Sequence, residues 1–114
     1  MIILIGNKAA IDCTVAKTPD QLERGLLGCD KLEDQTGMLF DFGKSQKIEM
    51  TMTNMVFPID MIFINKNSKI IKIAHHVEPE EEIECNDSIA VIETNADLCK
   101  KYKIKVGDKI TRLD

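Results

Sequence analysis

The sequence has no tryptophan, one tyrosine and four phenylalanines, and aromatic residues make up 4% of it. Its formal net charge is −4, with a pI near 5.2, and no cluster of lysine and arginine alternates with aromatic rings. The electrostatic footprint of a phosphate backbone is therefore missing, and no nucleic-acid partner is expected. Long apolar runs are missing too. Met1 to Ile5 is apolar, but it has no basic region before it, is shorter than a signal core, and runs into Gly6-Asn7-Lys8 without a small-residue cleavage site, so it reads as an opening strand. No window approaches the roughly 20 apolar residues that a membrane span needs. A soluble, acidic, cytoplasmic protein with no membrane partner is expected.

Proline is scarce as well: three residues, beside 44% apolar content, argue against disorder. Cysteine occurs four times, as Cys13, Cys29, Cys85 and Cys99, with no Cys-x-x-Cys and no histidine at a zinc-finger offset. The four read as small hydrophobes in a reducing compartment. No Ser-His-Asp order, glycine-rich phosphate loop or nucleophile elbow occurs. Cys29 follows a helix end, where the dipole raises a thiol pKa, and is rejected as a nucleophile. His75-His76 would point to opposite faces of a strand and cannot readily share a metal. Glu78 to Glu84 lacks the alternation and glycine of a calcium loop and reads as a solvated acidic loop. Neither a metal nor another cofactor is expected.

What is present is dense alternation. The stretch Met50 to Asn65 anchors the chain: Met50, Met52 and Asn54 fall on one side of a strand, Thr51 and Thr53 on the other, and the methionine side is the core side. Asn54 would then end an apolar row and need partners for its amide. Phe57-Pro58 interrupts the strand. From Asp60 the chain is extended again with two apolar rows, Asp60, Ile62 and Ile64 against Met61, Phe63 and Asn65, which predicts a central strand covered on both faces.

Around this block, residues 9–16 alternate as a second strand. Thr18-Pro19-Asp20-Gln21 opens a short helix with threonine as N-cap, proline at the first position and glutamine at the third, closed by Gly28. Residues 30–36 are polar loop, 37–42 a strand, and Gly43 to Gln46 a turn. Lys66-Asn67-Ser68 is a hairpin loop into a strand over 69–74. A strand over 88–93 leads to a second short helix from Thr94-Asn-Ala-Asp97, with Leu98, Cys99 and Tyr102 on its inner side, and Val106 to Asp108 turns into a last strand. About eight short strands and two small helices predict one mainly β domain over residues 1–114, an antiparallel sandwich or squashed barrel, the helices being too few to act as crossovers.

The words Glu23-Arg24-Gly-Leu-Leu-Gly28, Gly37-Met-Leu-Phe40, Asn54-x-x-x-Pro58-x-Asp60-x-x-Phe63-Ile64, Glu93-x-Asn95-Ala96 and Ile104-x-x-Gly107-Asp108 occur in one order. Together they resemble the DUF192 family of small uncharacterised domains, over nearly the whole chain. The resemblance implies a single β-sandwich-like domain and no agreed activity. One word departs. The family pattern at the central strand runs roughly Phe-Trp-Met-Lys-Asn-Thr, and here Thr51 and Thr53 stand at the tryptophan and lysine positions. A family ligand bound on that face would meet neither an aromatic platform nor a cation.

The candidate site is a pocket edged by Asn54, Asp60, Glu93 and Asn95 with Arg24 nearby, which makes the protein a non-catalytic module binding an unknown small molecule or protein, as a monomer or weak homodimer. Asp60 and Glu93 each end an apolar strand. They could instead serve as general acid and base of a small hydrolase or lyase, provided that they face one space about 5–10 Å apart. They could also simply cap turns or pair with Arg24, Glu93 being the expected partner. In a third reading the protein is an assembly partner acting through an edge strand. Asn54 and Asn95 could hold loops by bonds to backbone.

Overall fold

The computed structural model describes residues 1–113 and shows seven strands and two short helices: β1 (Ile2–Ile5), β2 (Ala9–Ala16), α1 (Pro19–Arg24), β3 (Thr36–Thr51), β4 (Ile59–Ile64), β5 (Ile70–Val77), β6 (Glu82–Asn95), α2 (Leu98–Lys101) and β7 (Ile110–Leu113). The strands form one sheet in the order β5-β4-β6-β3-β2-β1-β7. It curls until its two edges meet at a backbone bridge between Lys69 and Lys109, extended by Gly107 N–H to Ile70 O (2.8 Å) and Ile110 N–H to Ser68 O (2.8 Å). The result is a squashed barrel.

Alternation assigns each residue to one of two apolar layers. The inner layer draws on every strand, with Ile3, Ile11, Leu39, Ile62, Ile70, Ile92 and Ile110, and α2 plugs it with Leu98 and Cys99. The outer layer, centred on Phe40, Met61, Phe63 and Val91, is covered by Leu26 after α1, by Ile48 and Met50 from the far half of β3, and by Met52 just beyond it. As the two apolar rows predict, β4 is buried at all six positions. Met52, Ile62 and Val91 have no exposed surface, and Thr51 and Thr53 face outward.

α1 forms because its first turn is closed at both ends of the capping box: Gln21 N–H donates to Thr18 Oγ1 (3.2 Å), and the Thr18 N–H donates to Gln21 Oε1 (3.1 Å). It stops at Gly25, not Gly28. Gly25 adopts φ +48°, ψ −126°, and a Cβ there would lie 2.9 Å from two ring carbons of Phe40. Both the backbone and the close approach to the ring require glycine.

The sheet departs from the expected pattern in four places. β2 and β3 are parallel, with Cys13 opposite Gly37 and Ala16 opposite Phe40, so the sheet is mixed and the α1 segment is a crossover after all. A six-residue helix with its flanking loop is enough chain to carry the return. Gly43 to Gln46 is no turn. β3 runs through it as a bulge, its register on β6 jumping from Asp41 opposite Ala90 to Gln46 opposite Ser88, with Gly43 N–H bonded to Asp41 Oδ1 (3.0 Å). The acidic loop is shorter than expected, since Glu82 and Glu84 belong to β6 and alternate with Ile83 and Cys85. The central strand ends at Thr51, before Asn54, because Thr53 N–H turns back to Thr51 Oγ1 (3.1 Å) and Met55 N–H to Met52 O (3.0 Å).

Candidate functional site

Glu93 lies near the end of β6 on the outer face of the barrel, in the row of Val91, and its cross-strand neighbours are Met38 on β3 and Met61 on β4. Its residue surface is 4% exposed. No hydrogen bond or ion pair to its carboxyl exists among the described residues, and its oxygens are not sealed off but keep a little accessible surface. A carboxyl so placed resists ionisation, and burial pushes Glu93 up to about 8. The carboxyl opens into a cleft of about 320 Å³ between α1 with its C-terminal loop and the face of β3 and β6, a volume at the small end of ligand sites. Leu22, Leu26, Phe40, Phe42 and Met50 give the cleft apolar walls, and Thr51, Thr53, Glu23, Arg24 and Glu49 give it polar edges. The two threonine hydroxyls are hydrogen-bonded to each other at 2.7 Å.

Asp60 has the opposite environment. It is also fully buried, but one oxygen accepts from the backbone N–H of His76 (2.8 Å) and Asp97 (3.0 Å) and the other from Cys99 N–H (3.0 Å). It therefore ties the start of α2 to a kink in β5. Asp60 pairs with Thr94, and Met61 pairs with Glu93; by strand alternation Asp60 points with Ile62 to the inner layer and Glu93 with Met61 to the outer one. The two carboxyls lie on opposite faces of the sheet and share no cavity, so the acid–base pair required for the hydrolase or lyase reading does not form.

The other proposed pocket residues are dispersed. Arg24 lines the Glu93 cleft, but it is exposed and makes no ion pair within 4.0 Å among the described residues, so the expected Arg24–Glu93 bridge is absent. Its place on the last turn of a short exposed helix lets the guanidinium stay in water. Asn54 is an exposed turn residue at φ +65°, its N–H bonded to Glu80 Oε1 (3.0 Å), and it lies outside the cleft. Asn95 Nδ2 donates to Leu32 O (2.9 Å) and Glu33 O (3.4 Å), fastening the loop before β3. Glu93 and Arg24 are thus the two predicted residues that the fold brings together. The threonines and the apolar walls complete the cleft. Their signals were the Leu22 and Leu26 spacing, the Phe40 and Phe42 alternation, and the departure from the family word at Thr51 and Thr53.

A depression of about 330 Å³ lies beside it, over Glu49, Met50, Thr51, Glu82, Ile83 and Glu84. Its carboxylates are solvated, Glu49 71% and Glu84 62% exposed, and Lys47 bridges them at 3.6 and 3.2 Å. It is a surface charge network. Cys13 and Cys99 are buried, Cys85 is half-buried and Cys29 exposed, all free; burial pushes the Cys13 thiol up to about 12 and raises Cys99 also. These two are inert packing groups.

His76 stands at φ +49° in the β5 kink, with Nδ1 3.1 Å from Asp97 Oδ2 and Nε2 3.1 Å from Glu78 Oε1. The hydrogen bond to Asp97, and secondarily the charges of Asp97 and Glu78, raise its pKa from the ordinary 6.5. A raised histidine pKa stabilises the fold below the unfolded value, and that contribution is lost as pH rises through the folded one. In an NMR titration the His76 ring should titrate above 6.5, and Asp97→Asn should move its midpoint down. An unmoved midpoint would show that the Asp97 contact is not made in solution.

The model of the DUF192 family, described as "Uncharacterized ACR", matches residues 1–112. No curated protein matches the chain. Two crystal structures are similar. A protein of unknown function from Novosphingobium aromaticivorans is 25% identical with a TM-score of 0.93, over 98% of this chain and 84% of that one. A "putative transcription regulator" from Sinorhizobium meliloti is 28% identical with a TM-score of 0.89, over 96% of this chain and 92% of that one.

Proposed function

The chain belongs to the DUF192 family, and from that premise we propose that it is a non-catalytic binding module whose ligand seat is the Glu93 cleft. The observation that carries this is Glu93, a residue 4% exposed beside Met38 and Met61, whose carboxyl has no partner among the described residues and reaches solvent only through the cleft. Holding such a group largely out of water without a protein hydrogen bond costs up to about 1–3 kcal/mol, a cost that a ligand placed in the cleft would offset. The acid–base alternative built on Asp60 and Glu93 has its two groups on opposite faces of the sheet. The description of the Sinorhizobium protein finds no support in the charge of this one, which is −4 overall. Four free thiols fit a reducing compartment, and we place the protein in the cytoplasm.

The test is a fragment and metabolite screen followed by amide NMR. Binders should shift the Thr51, Thr53 and Glu93 amides, and Thr51→Trp, which fills the cleft from an exposed position, should weaken them at least about 10-fold. Hits that shift only amides elsewhere, or that bind Thr51→Trp equally well, would remove the cleft as the seat.

A further inference from the structure

We infer that the cleft takes an organic ammonium ion, a primary amine on a short apolar or aromatic body, with its charged head against Glu93 and the Thr51 and Thr53 hydroxyls. This rests on the proposed binding function and specifies its ligand class.

The first support is the placement of charge. Glu23 and Arg24 from α1 and Glu49 from β3 stand at the exposed rim, Glu49 bridged by Lys47 at 3.6 Å, and Glu93 from β6 is the one ionisable group at the base of the cleft. β4 contributes only apolar Met61 beside Glu93, and the near half of β3 contributes Met38, Phe40 and Phe42. At a low-dielectric base an ionised Glu93 attracts a cation more strongly than the solvated carboxylates at the rim do. Arg24 is exposed and makes no ion pair among the described residues, and its guanidinium can meet an acidic substituent at the far end of the ligand.

The second support is the donor and acceptor inventory. An ammonium brings three donors and no acceptor, and Glu93 and the two hydroxyls are oxygen atoms with lone pairs to fill. The rings of Phe40 and Phe42, two of the four phenylalanines in the chain, line the same space, and aromatic faces attract cations most strongly where water is excluded. A carboxylate ligand would be repelled by an ionised Glu93 and could bind there only while Glu93 keeps its proton, so its affinity should fall as pH rises, opposite to an ammonium ion. A neutral alcohol could bond to Glu93 but would gain nothing from the rings or the field.

Binding then couples to a proton. Glu93 holds its proton up to about pH 8 in the empty cleft, and an ammonium ion requires the carboxylate. Binding near pH 7 should therefore release close to one proton. From pH 6 to pH 9 the ionised fraction of Glu93 rises about 90-fold, and amine affinity should rise about 50- to 100-fold with it, before falling as an alkylamine loses its own proton near pH 10.4.

The experiment titrates the full chain with n-butylammonium, n-hexylammonium and benzylammonium, and with hexanol, benzyl alcohol and hexanoate, by amide NMR. Calorimetry in two buffers of different ionisation enthalpy counts the protons. Expected is an ammonium preference over the matched alcohol of at least about 10-fold at pH 8, shifts at Thr51, Thr53 and Glu93, and proton release near pH 7. Glu93→Gln should remove both the preference and the pH dependence. Thr53→Lys, which sets an ammonium of the chain's own at the cleft edge from an exposed position, should compete with added amine and lower its affinity at least about 10-fold. Alcohols or hexanoate binding the cleft as well as the amines would overturn the ammonium assignment and leave the binding function standing. Amines that shift only Glu82 and Glu84, with no change in Glu93→Gln, would overturn it as surface attraction. If neither this series nor the wider screen moves a cleft amide, both readings fall.

Discussion

Replacing Asp60 with alanine is expected to cost about 3–5 kcal/mol, a large share of the 5–15 kcal/mol typical of a small domain. The side chain has no exposed surface and accepts from three backbone N–H groups, those of His76, Asp97 and Cys99. These donors come from two separate elements, the β5 kink and the entry to α2, and Asp97 itself provides no side-chain cap for α2. Hydrogen bonds to a charged acceptor contribute about 1.5–3 kcal/mol each, and the donors left behind lose their partner without one to replace it. The sum is reduced because His76 and Asp97 are near enough to the surface for water to reach their amides. Asp60→Asn keeps one accepting oxygen but turns an NH₂ toward a backbone N–H, and should fall between. Urea melts of the three proteins give the ranking, and hydrogen exchange localises the loss: His76, Asp97 and Cys99 amides should lose protection before β1 and β2. A change under about 1 kcal/mol with unchanged exchange would mean that the carboxylate does not hold α2.

The sequence carried Asp60's face but not its role. Its row with Ile62 and Ile64 is visible by alternation, and so is the capping box at Thr18 and Gln21, because both depend on residues within a few positions of one another. Whether Glu93 faces the same cavity depends on the pairing of Met61 with Glu93, a contact 32 positions apart (93 − 61) that no local pattern contains. The same reason hides two features of the topology from the sequence. Alternating apolar residues read alike in parallel and antiparallel pairs, so the β2–β3 direction was invisible. Small polar residues at Gly43 to Gln46 suit a turn and a bulge equally, and the choice is made by β6, which stays extended and recaptures the strand at Ser88. Alternation continues in the sequence to Asn54, but the backbone leaves the strand where the threonine hydroxyls redirect it, so Asn54 falls in a turn. The cleft was legible only in pieces, each ordinary alone: two leucines a helical turn apart, two phenylalanines on one strand face, and one glutamate in an apolar row.

Asp60 and Glu93 are chemically near-identical groups at the ends of neighbouring strands, both buried, and their environments separate them. One has three donors supplied by the fold. The other has none. A carboxylate that the fold satisfies is part of the architecture, whereas one left unsatisfied at the base of an open cleft makes the empty protein less stable than it could be, a feature found where function is built at the expense of stability.

Glu93→Gln should therefore stabilise the protein, and only above about pH 4.5. Burial pushes Glu93 up to about 8 in the folded chain, against 4.5 ordinarily. Between these values the unfolded chain has lost the proton that the folded chain keeps, so the unfolded state binds fewer protons and stability falls as pH rises; below 4.5 and above about 8 this contribution is level. At about 1.4 kcal/mol per unit the full fall is up to about 5 kcal/mol, and water entering the cleft will reduce it to about 2–4. Glutamine has nearly the shape of the neutral acid and no proton to lose. The variant should match the parent near pH 4.5 and exceed it by about 2–4 kcal/mol at pH 9, with the difference opening between those limits. Urea melts of both proteins at pH 4.5, 6, 7.5 and 9 give the two curves, whose difference isolates Glu93 from His76 and every other titrating group. Parallel curves would mean that Glu93 ionises as easily when folded as when unfolded; the cleft would then be wet to its base, and its carboxyl would need no ligand to complete it.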